Sequence, residues 1–143
     1  MKRETQFCTF RVGEHLCGIA VLDVREILMQ RELTPVPLAP PSVKGLMNLR
    51  GGVVPAIDLR MRLGQPQHDD GEATHVIVRT DDETTSLMVD AVEDVITVTD
   101  DSFEAPPQSL TGLERDCITG VHKLDGRLLL ILDARRIVQP EES

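Results

Sequence analysis

Residues 43–60 read VKGLMNLRGGVVPAIDLR, and a diverged copy of this segment, ITGVHKLDGRLLLILDAR, follows at residues 118–135. Two glycines, an aspartate and an arginine keep their spacing in both copies: Gly45, Gly51, Asp58 and Arg60 recur as Gly120, Gly126, Asp133 and Arg135. Equal spacing over a whole segment indicates an internal duplication, because four matched residues at unchanged intervals are hard to obtain by chance.

A second pair of segments lies outside the first pair and supports the duplication. GIAVLDVREIL begins at Gly18, and SLMVDAVEDVI begins at Ser86. The alignment pairs three apolar positions of each segment: Val21 with Val89, Val24 with Val92, and Ile27 with Val95. Since the two blocks occur in the same order, the chain is interpreted as one domain, residues 1–143, with repeat halves at about 7–64 and 75–138.

Short apolar strands separated by glycine-containing turns predict an all-β fold. Four hairpins are predicted, at 7–20, 43–57, 75–89 and 119–132. Helical spacing of apolar residues predicts short helices within 21–28 and 91–98. The N-cap residues Asp58 and Asp133 predict two more, at 59–63 and 134–138. The doubled pattern predicts two small barrels that share an apolar seam, since each half alone is of marginal size for folding.

Composition excludes several classes of function. The chain has 143 residues, a net charge of −9 and 2% aromatic residues, which disfavours nucleic acids and anionic membrane surfaces as partners. No apolar run approaches the ~20 residues of a membrane span, and no signal peptide is recognised, so a cytoplasmic protein is expected. Three scattered cysteines predict buried thiols rather than disulfides or a metal site.

Candidate catalytic residues are few. His15 and Cys17 stand two apart, so a strand would place them on one face as a nucleophile pair for a small enzymatic or ligand-binding barrel. Structural or surface roles are favoured, because nothing nearby supplies an orienting group. Asp58 and Asp133 resemble paired carboxylates, but helix N-capping accounts for both. Gly51 and Gly126 are interpreted as turn residues.

Arg50 differs from the repeated positions around it, because its counterpart in the second copy is Asp125. The turn therefore does not dictate this charge. An arginine presented on a hairpin can form a forked pair of hydrogen bonds with a partner. The alternative is an arginine that only faces water, and Glu26 likewise either pairs with a partner or faces solvent.

The motifs GxxVLxVREI, PxPxAPxxVKGLMNLRGGVVPAIDLR and VDxVEDV closely resemble the CheW coupling proteins of bacterial chemotaxis. The resemblance runs from about Phe7 to Val138 and is weaker in the second half. Cys17 stands where an aromatic residue is usual. The resemblance implies two five-stranded SH3-like barrels with short helices, and a non-catalytic adaptor without cofactor, metal or small-molecule substrate.

The resemblance also implies partners and contact residues. Family members bind the cytoplasmic tip of methyl-accepting chemoreceptors in a groove between the barrels, and the regulatory domain of a CheA-type histidine kinase through the end of a barrel. Transferred by motif, the receptor-binding residues are Val24, Glu26, Gly45 and Arg50, and the kinase contacts are Val92 and Val95. Such a protein is expected in the cytoplasm, recruited to membrane receptor arrays. An adaptor of a pilus-motility or other chemosensory-like pathway is the alternative.

Overall fold

A computed structural model of the chain describes residues 3–29, 31–66, 73–106 and 116–138. The strands in chain order are β1 Glu4–Val12, β2 His15–Ala20, β3 Val24–Leu28, β4 Val43–Leu49, β5 Gly52–Asp58, β6 Thr74–Thr80, β7 Glu83–Val89, β8 Ala91–Thr99, β9 Phe103–Glu104, β10 Ile118–Leu124 and β11 Arg127–Leu132. The helices are α1 Leu59–Arg62 and α2 Ala134–Val138, and single 3-10 turns occupy Val21–Asp23 and Asp100–Ser102. The predicted all-β class with short helices is confirmed.

Each of the two sheets takes strands from both halves of the chain. The order of the first sheet is β8-β1-β2-β11-β10-β9, and that of the second is β3-β6-β7-β5-β4. The hairpin β1–β2 thus completes the sheet of the second half, and the hairpin β6–β7 completes the sheet of the first half. The joins β2–β11 and β5–β7 are parallel, whereas the other pairings are antiparallel.

The duplication extends to the register of the hydrogen bonds. In the β4–β5 pair the register shifts between Val43 and Gly45, and in the β10–β11 pair it shifts at the matching place, between Ile118 and Gly120. A further backbone segment lies beside each of these hairpins: Thr34 bridges Leu46, and Glu104 of β9 pairs with Val121. Matching residues of the two copies therefore occupy matching positions in their sheets.

The helices predicted within 21–28 and 91–98 are wrong. Apart from the turn Val21–Asp23, the first segment is strand β3, and the second is strand β8. Both strands contain an extra residue where the register shifts, one between Val24 and Glu26 and one opposite Cys8 and Phe10. A bulge of this kind breaks the two-residue alternation of a strand, so the apolar residues acquire a spacing that imitates a helix.

The main core lies between the two sheets. Its buried side chains come from both, as the predicted apolar seam requires, and include Phe10, Ile19, Ile57, Leu87 and Ile118. Smaller apolar clusters fill each sheet separately: Phe7, Leu16, Val98, Leu129 and Ile131 in the first, and Met47, Val54 and Ile77 in the second. Burial of apolar side chains from both sheets in one core makes the two barrels a single folding unit.

Both short helices begin at the repeated aspartates. The Asp58 carboxylate accepts a hydrogen bond from the backbone N–H of Arg60 at 3.0 Å. The Asp133 carboxylate accepts one from the N–H of Arg135 at 2.9 Å. Each aspartate satisfies a backbone donor that the first turn of its helix leaves unpaired, which is the chemistry of an N-cap.

Candidate partner-binding site

The turn between β4 and β5 places an arginine in an unusual backbone conformation. Arg50 and Gly51 have φ values of 52° and 82°, and Leu49 pairs with Gly52, so the loop is a two-residue type I′ turn. The left-handed region costs a residue with a side chain roughly 1–2 kcal/mol. The Asn48 side-chain oxygen accepts a hydrogen bond from the N–H of Gly51 at 3.1 Å and so supports the turn.

The matching turn of the second copy differs. Gly126 has a φ of 78°, whereas Asp125, also among the described residues, does not have a positive φ. The left-handed conformation of Arg50 is therefore not a common requirement of the two hairpins. Asp81 and Asp82, in the turn between β6 and β7, also have positive φ values, so this conformation belongs to tight two-residue hairpin turns.

The side chain of Arg50 joins this turn to the edge strand β3. Its Nη1 lies 2.5 Å from Oε2 of Glu26. The Arg50 side chain remains 74% exposed, and that of Glu26 is 21% exposed. An exposed ion pair contributes at most about 1 kcal/mol to stability. Because a guanidinium has five N–H donors, Arg50 retains donors for a partner while Glu26 holds its orientation.

Glu26 and Arg50 border a cleft of about 580 Å³ over the second sheet. Its other lining residues are Arg25, Leu49, Gly52, Val53, Val54, Ile77, Arg79 and Thr84. Val54 and Ile77 are buried, whereas the side chain of Val53 is 68% exposed. The cleft thus combines an apolar floor, an exposed apolar side chain and several charged groups, a composition that suits a protein partner.

The structure brings together two of the four residues predicted to bind a receptor. Val24 is half-buried and packs against the main core, and Gly45 is buried in β4. Neither lines the cleft of Glu26 and Arg50. A Cβ atom on Gly45 would lie 2.6 Å from the carbonyl oxygen of Thr34, so the close approach of the Thr34 segment requires glycine here.

The two residues predicted to contact a kinase lie on the edge strand β8 of the first sheet. Val92 is half-buried against the main core, and Val95 is 57% exposed. Val95 occupies the position that matches exposed Ile27 of β3. An apolar side chain on an edge strand is available to a partner.

Sequence reasoning missed Arg25, Val53 and Arg79 as lining residues of the cleft. The exposure of Val53 could have been predicted: it stands next to the turn of a predicted hairpin, and side chains of successive strand residues, here Val53 and the buried Val54, face opposite sides. No local pattern in the sequence indicates Arg25 and Arg79. They come together because β3 pairs with β6, although more than half of the first repeat and the connection between the halves separate these strands in the sequence.

The arrangement around Cys17 does not support nucleophilic chemistry. Cys17 is fully buried, and burial, with a smaller contribution from Asp90, raises the pKa of its thiol to about 12. The reactive form of cysteine is the thiolate, so this thiol is protonated and unreactive near neutral pH. Within the described residues, no three His, Cys, Asp or Glu side chains form a group suited to a metal ion.

Two buried histidines each contact a serine. Nδ1 of His75 lies 2.7 Å from Oγ of Ser86, and Nδ1 of His122 lies 2.8 Å from Oγ of Ser102. Burial lowers the pKa of both imidazoles; the positive charge of Arg31 lowers that of His75 further, whereas Asp100 partly opposes the effect at His122. The fold therefore favours the neutral form of each ring.

The free energy of unfolding is expected to decrease as the pH falls from about 7.5 to about 5.5. Because the pKa of each histidine is lowered by folding, the unfolded chain binds the proton more readily. This contribution to stability is present above the ordinary value of 6.5 and is lost as the pH falls through the folded pKa. Urea unfolding across this range should show a shallower pH dependence for His75→Gln, whereas the same change at half-buried His15 serves as the control. An unchanged pH dependence in His75→Gln would contradict the assignment.

Comparison with known proteins now identifies the family. Residues 6–142 match the CheW-like domain. The chain belongs to the CheW-like domain family. It is 32% identical over 142 residues to the chemotaxis protein CheW of Treponema pallidum, covering 96% of this chain and 84% of that protein. It is 33% identical to the chemotaxis protein CheW of Bacillus subtilis, covering 100% of this chain and 92% of that protein.

A solved CheW structure shares the fold. The scaffolding protein TtCheW from Thermoanaerobacter tengcongensis superimposes with a TM-score of 0.86 at 28% identity, covering 96% of this chain and 94% of that one. The two SH3-like barrels predicted from the sequence are confirmed. This CheW-family chain is a non-catalytic chemotaxis adaptor, and the enzymatic alternative built on His15 and Cys17 is set aside. Among the described residues, no helix has the length and apolar character to cross a bilayer.

Proposed function

We propose that this CheW-family chain couples the cytoplasmic tip of a chemoreceptor to the regulatory domain of a CheA-type histidine kinase. The chain acts in the cytoplasm and is recruited to receptor arrays at the membrane. The observation that carries the proposal is the ion pair of Arg50 and Glu26, presented by a tight turn at the rim of a partly apolar cleft. Such a group is poorly explained by stability alone.

The receptor tip, a helical hairpin, binds at this cleft, whose lining residues all belong to the second sheet and its turns rather than to a groove between the barrels. Arg50 and Glu26 set its register there through polar contacts. Val24 and Gly45 support the site from behind: Val24 through the core beneath β3, and Gly45 through the packing of the Thr34 segment on β4. The regulatory domain of the kinase binds at the edge of the other sheet, where Val95 is exposed and Val92 supports it. Two sites on opposite copies of the repeat allow one chain to bind both partners.

An adaptor without chemistry transmits a signal only through its differential affinity for the states of its partners. The core shared by the two sheets makes them one unit, so a change in the fit of the receptor at one sheet alters the geometry offered to the kinase at the other.

The proposal is tested with the purified chain, a CheA-type kinase and a soluble receptor fragment that contains the hairpin tip, all from the same organism. Size-exclusion chromatography with mass determination is expected to show binary complexes with each partner and a ternary complex with both. A chain that binds neither partner at micromolar concentrations would contradict the proposal.

A further inference from the structure

Arginines dominate the charge of the cleft that contains Arg50 and Glu26. Arg25, Arg50 and Arg79 line it together with a single carboxylate, that of Glu26. The chain as a whole carries a net charge of −9. The cleft is therefore a local cationic site on an acidic protein, and it attracts groups that the rest of the surface repels.

The three arginines that line the cleft come from three different elements. Arg25 lies at the bulge of β3, Arg50 at the tip of the β4–β5 turn, and Arg79 near the end of β6. Nη2 of Arg79 lies 3.5 Å from Oδ1 of Asp82, whose side chain is 97% exposed. A pair as exposed as this one is weak, so Arg79 can exchange its partner for an external carboxylate at little cost.

Apolar surface lies between these cations. Val53 is exposed at the rim, Leu49 is half-buried, and Val54 and Ile77 form the floor. An aliphatic side chain of a partner can bury surface against them, while carboxylates on either side of it reach the arginines. The chemistry of the cleft thus matches a segment in which acidic residues flank an aliphatic one.

We propose that this cleft recognises an acidic segment of the receptor's hairpin tip, with Arg25 and Arg79 selecting carboxylates and Val53 contacting an aliphatic side chain between them. The inference rests on the proposed function and adds to it the chemical class of the bound segment and three residues that determine its selection.

The second copy of the repeat shows why only one cleft has this preference. The position of Arg25 is taken by Glu93 in β8, and that of Arg50 by Asp125, whereas Arg79 is matched by Arg11 in β1. Two of the three cations are thus replaced by carboxylates in the matching place. Arg127, at the position of Gly52, adds a cation there but lies 3.4 Å from Glu93. Because Arg127 is paired in this way and Asp125 replaces Arg50, the matching place on the first sheet is less favourable for an acidic segment.

The test uses the full-length chain and the purified receptor fragment. The double variant Arg25→Gln/Arg79→Gln is expected to weaken binding about fivefold to tenfold and to reduce the loss of affinity at high salt, since each exposed charge pair makes a modest, screened contribution. A receptor fragment whose acidic tip residues are changed to amides should lose affinity for the wild-type chain and not for the double variant. Arg11→Gln, at the matching position of the other copy, is the control and should bind as the wild type does.

The possible outcomes distinguish a failure of the acidic-segment inference from a failure of the proposed function. If the double variant binds with unchanged affinity and unchanged salt dependence while Arg50→Glu fails to bind, the acidic-segment inference is overturned and the proposed function stands. If the wild-type chain does not bind the fragment at all, the proposed function and the inference both fail. Because Arg25 and Arg79 are exposed, their variants are expected to melt at the temperature of the wild type. Thermal melting of each variant checks that misfolding is not the cause of lost binding.

Discussion

The Arg50→Glu variant is expected to lose binding to the receptor fragment while its melting temperature stays close to that of the wild type. The new carboxylate would face Glu26, which now lies 2.5 Å from the guanidinium, and the two like charges would move apart. The arginine donors offered to the partner would be replaced by acceptors. A reversed charge at a contact of this kind costs tenfold in affinity or more, whereas the exposed side chain leaves the core intact.

The matching position in the other copy supplies the control. Asp125→Arg reverses a charge at the same place in the second hairpin, and isothermal titration should show receptor binding like that of the wild type. Kinase binding of Arg50→Glu should also persist, because the proposed kinase contacts lie on β8. If Arg50→Glu still binds the receptor fragment like the wild type, the receptor-binding site lies outside this cleft.

The Gly45→Ala variant is expected to lower the free energy of unfolding by about 1–3 kcal/mol, the usual effect of inserting a methyl group where there is no room. The added Cβ would lie 2.6 Å from the carbonyl oxygen of Thr34 and 3.1 Å from Cβ of Leu33. Since the nearest atoms are backbone, the Thr34 segment must move away from β4. A loss of this size is a substantial fraction of the stability of a small domain. Urea unfolding measures it directly.

Two other glycines test the explanation. Gly52→Ala on the same hairpin should change stability little, because its nearest neighbour is the Leu49 carbonyl oxygen at 3.5 Å. Gly120→Ala, in the second copy, should be as damaging as Gly45→Ala, because its Cβ would lie 2.9 Å from the carbonyl oxygen of Glu104 and would overlap the Phe103 ring. If Gly45→Ala is as stable as the wild type but fails to bind the receptor, Gly45 acts by contact rather than by packing.

The sequence predicted the hairpins and the helix starts well, because these depend on local chemistry. Turn glycines and the capping aspartates act within a few residues of their own position, and the duplication repeated each signal. The bulged strands β3 and β8 were missed for the opposite reason. An extra residue alters the spacing of the apolar side chains, and only the partner strand shows that it is there.

Local sequence patterns could not predict which residues line the cleft. Arg50 and Glu26 were connected by resemblance to a family, whereas Arg25 and Arg79 are brought together by the pairing of β3 with β6. Strand pairing between halves is a long-range property, and the two-residue period of a strand does not reveal which neighbour it will have. For the same reason, the partial burial of Val24 and the burial of Gly45 could not be predicted without knowing how the strands pair.

The exchange of hairpins between the halves has a consequence for the origin of the fold. A single copy of the repeat, with the pairing seen here, would place the hairpin β1–β2 in one sheet and the strands β3, β4 and β5 in the other. With this pairing, such a chain completes a sheet only by exchanging the hairpin β1–β2 with a second identical chain. The ancestor implied by this topology is a domain-swapped homodimer, and joining its two subunits into one polypeptide released each copy to evolve its own charges.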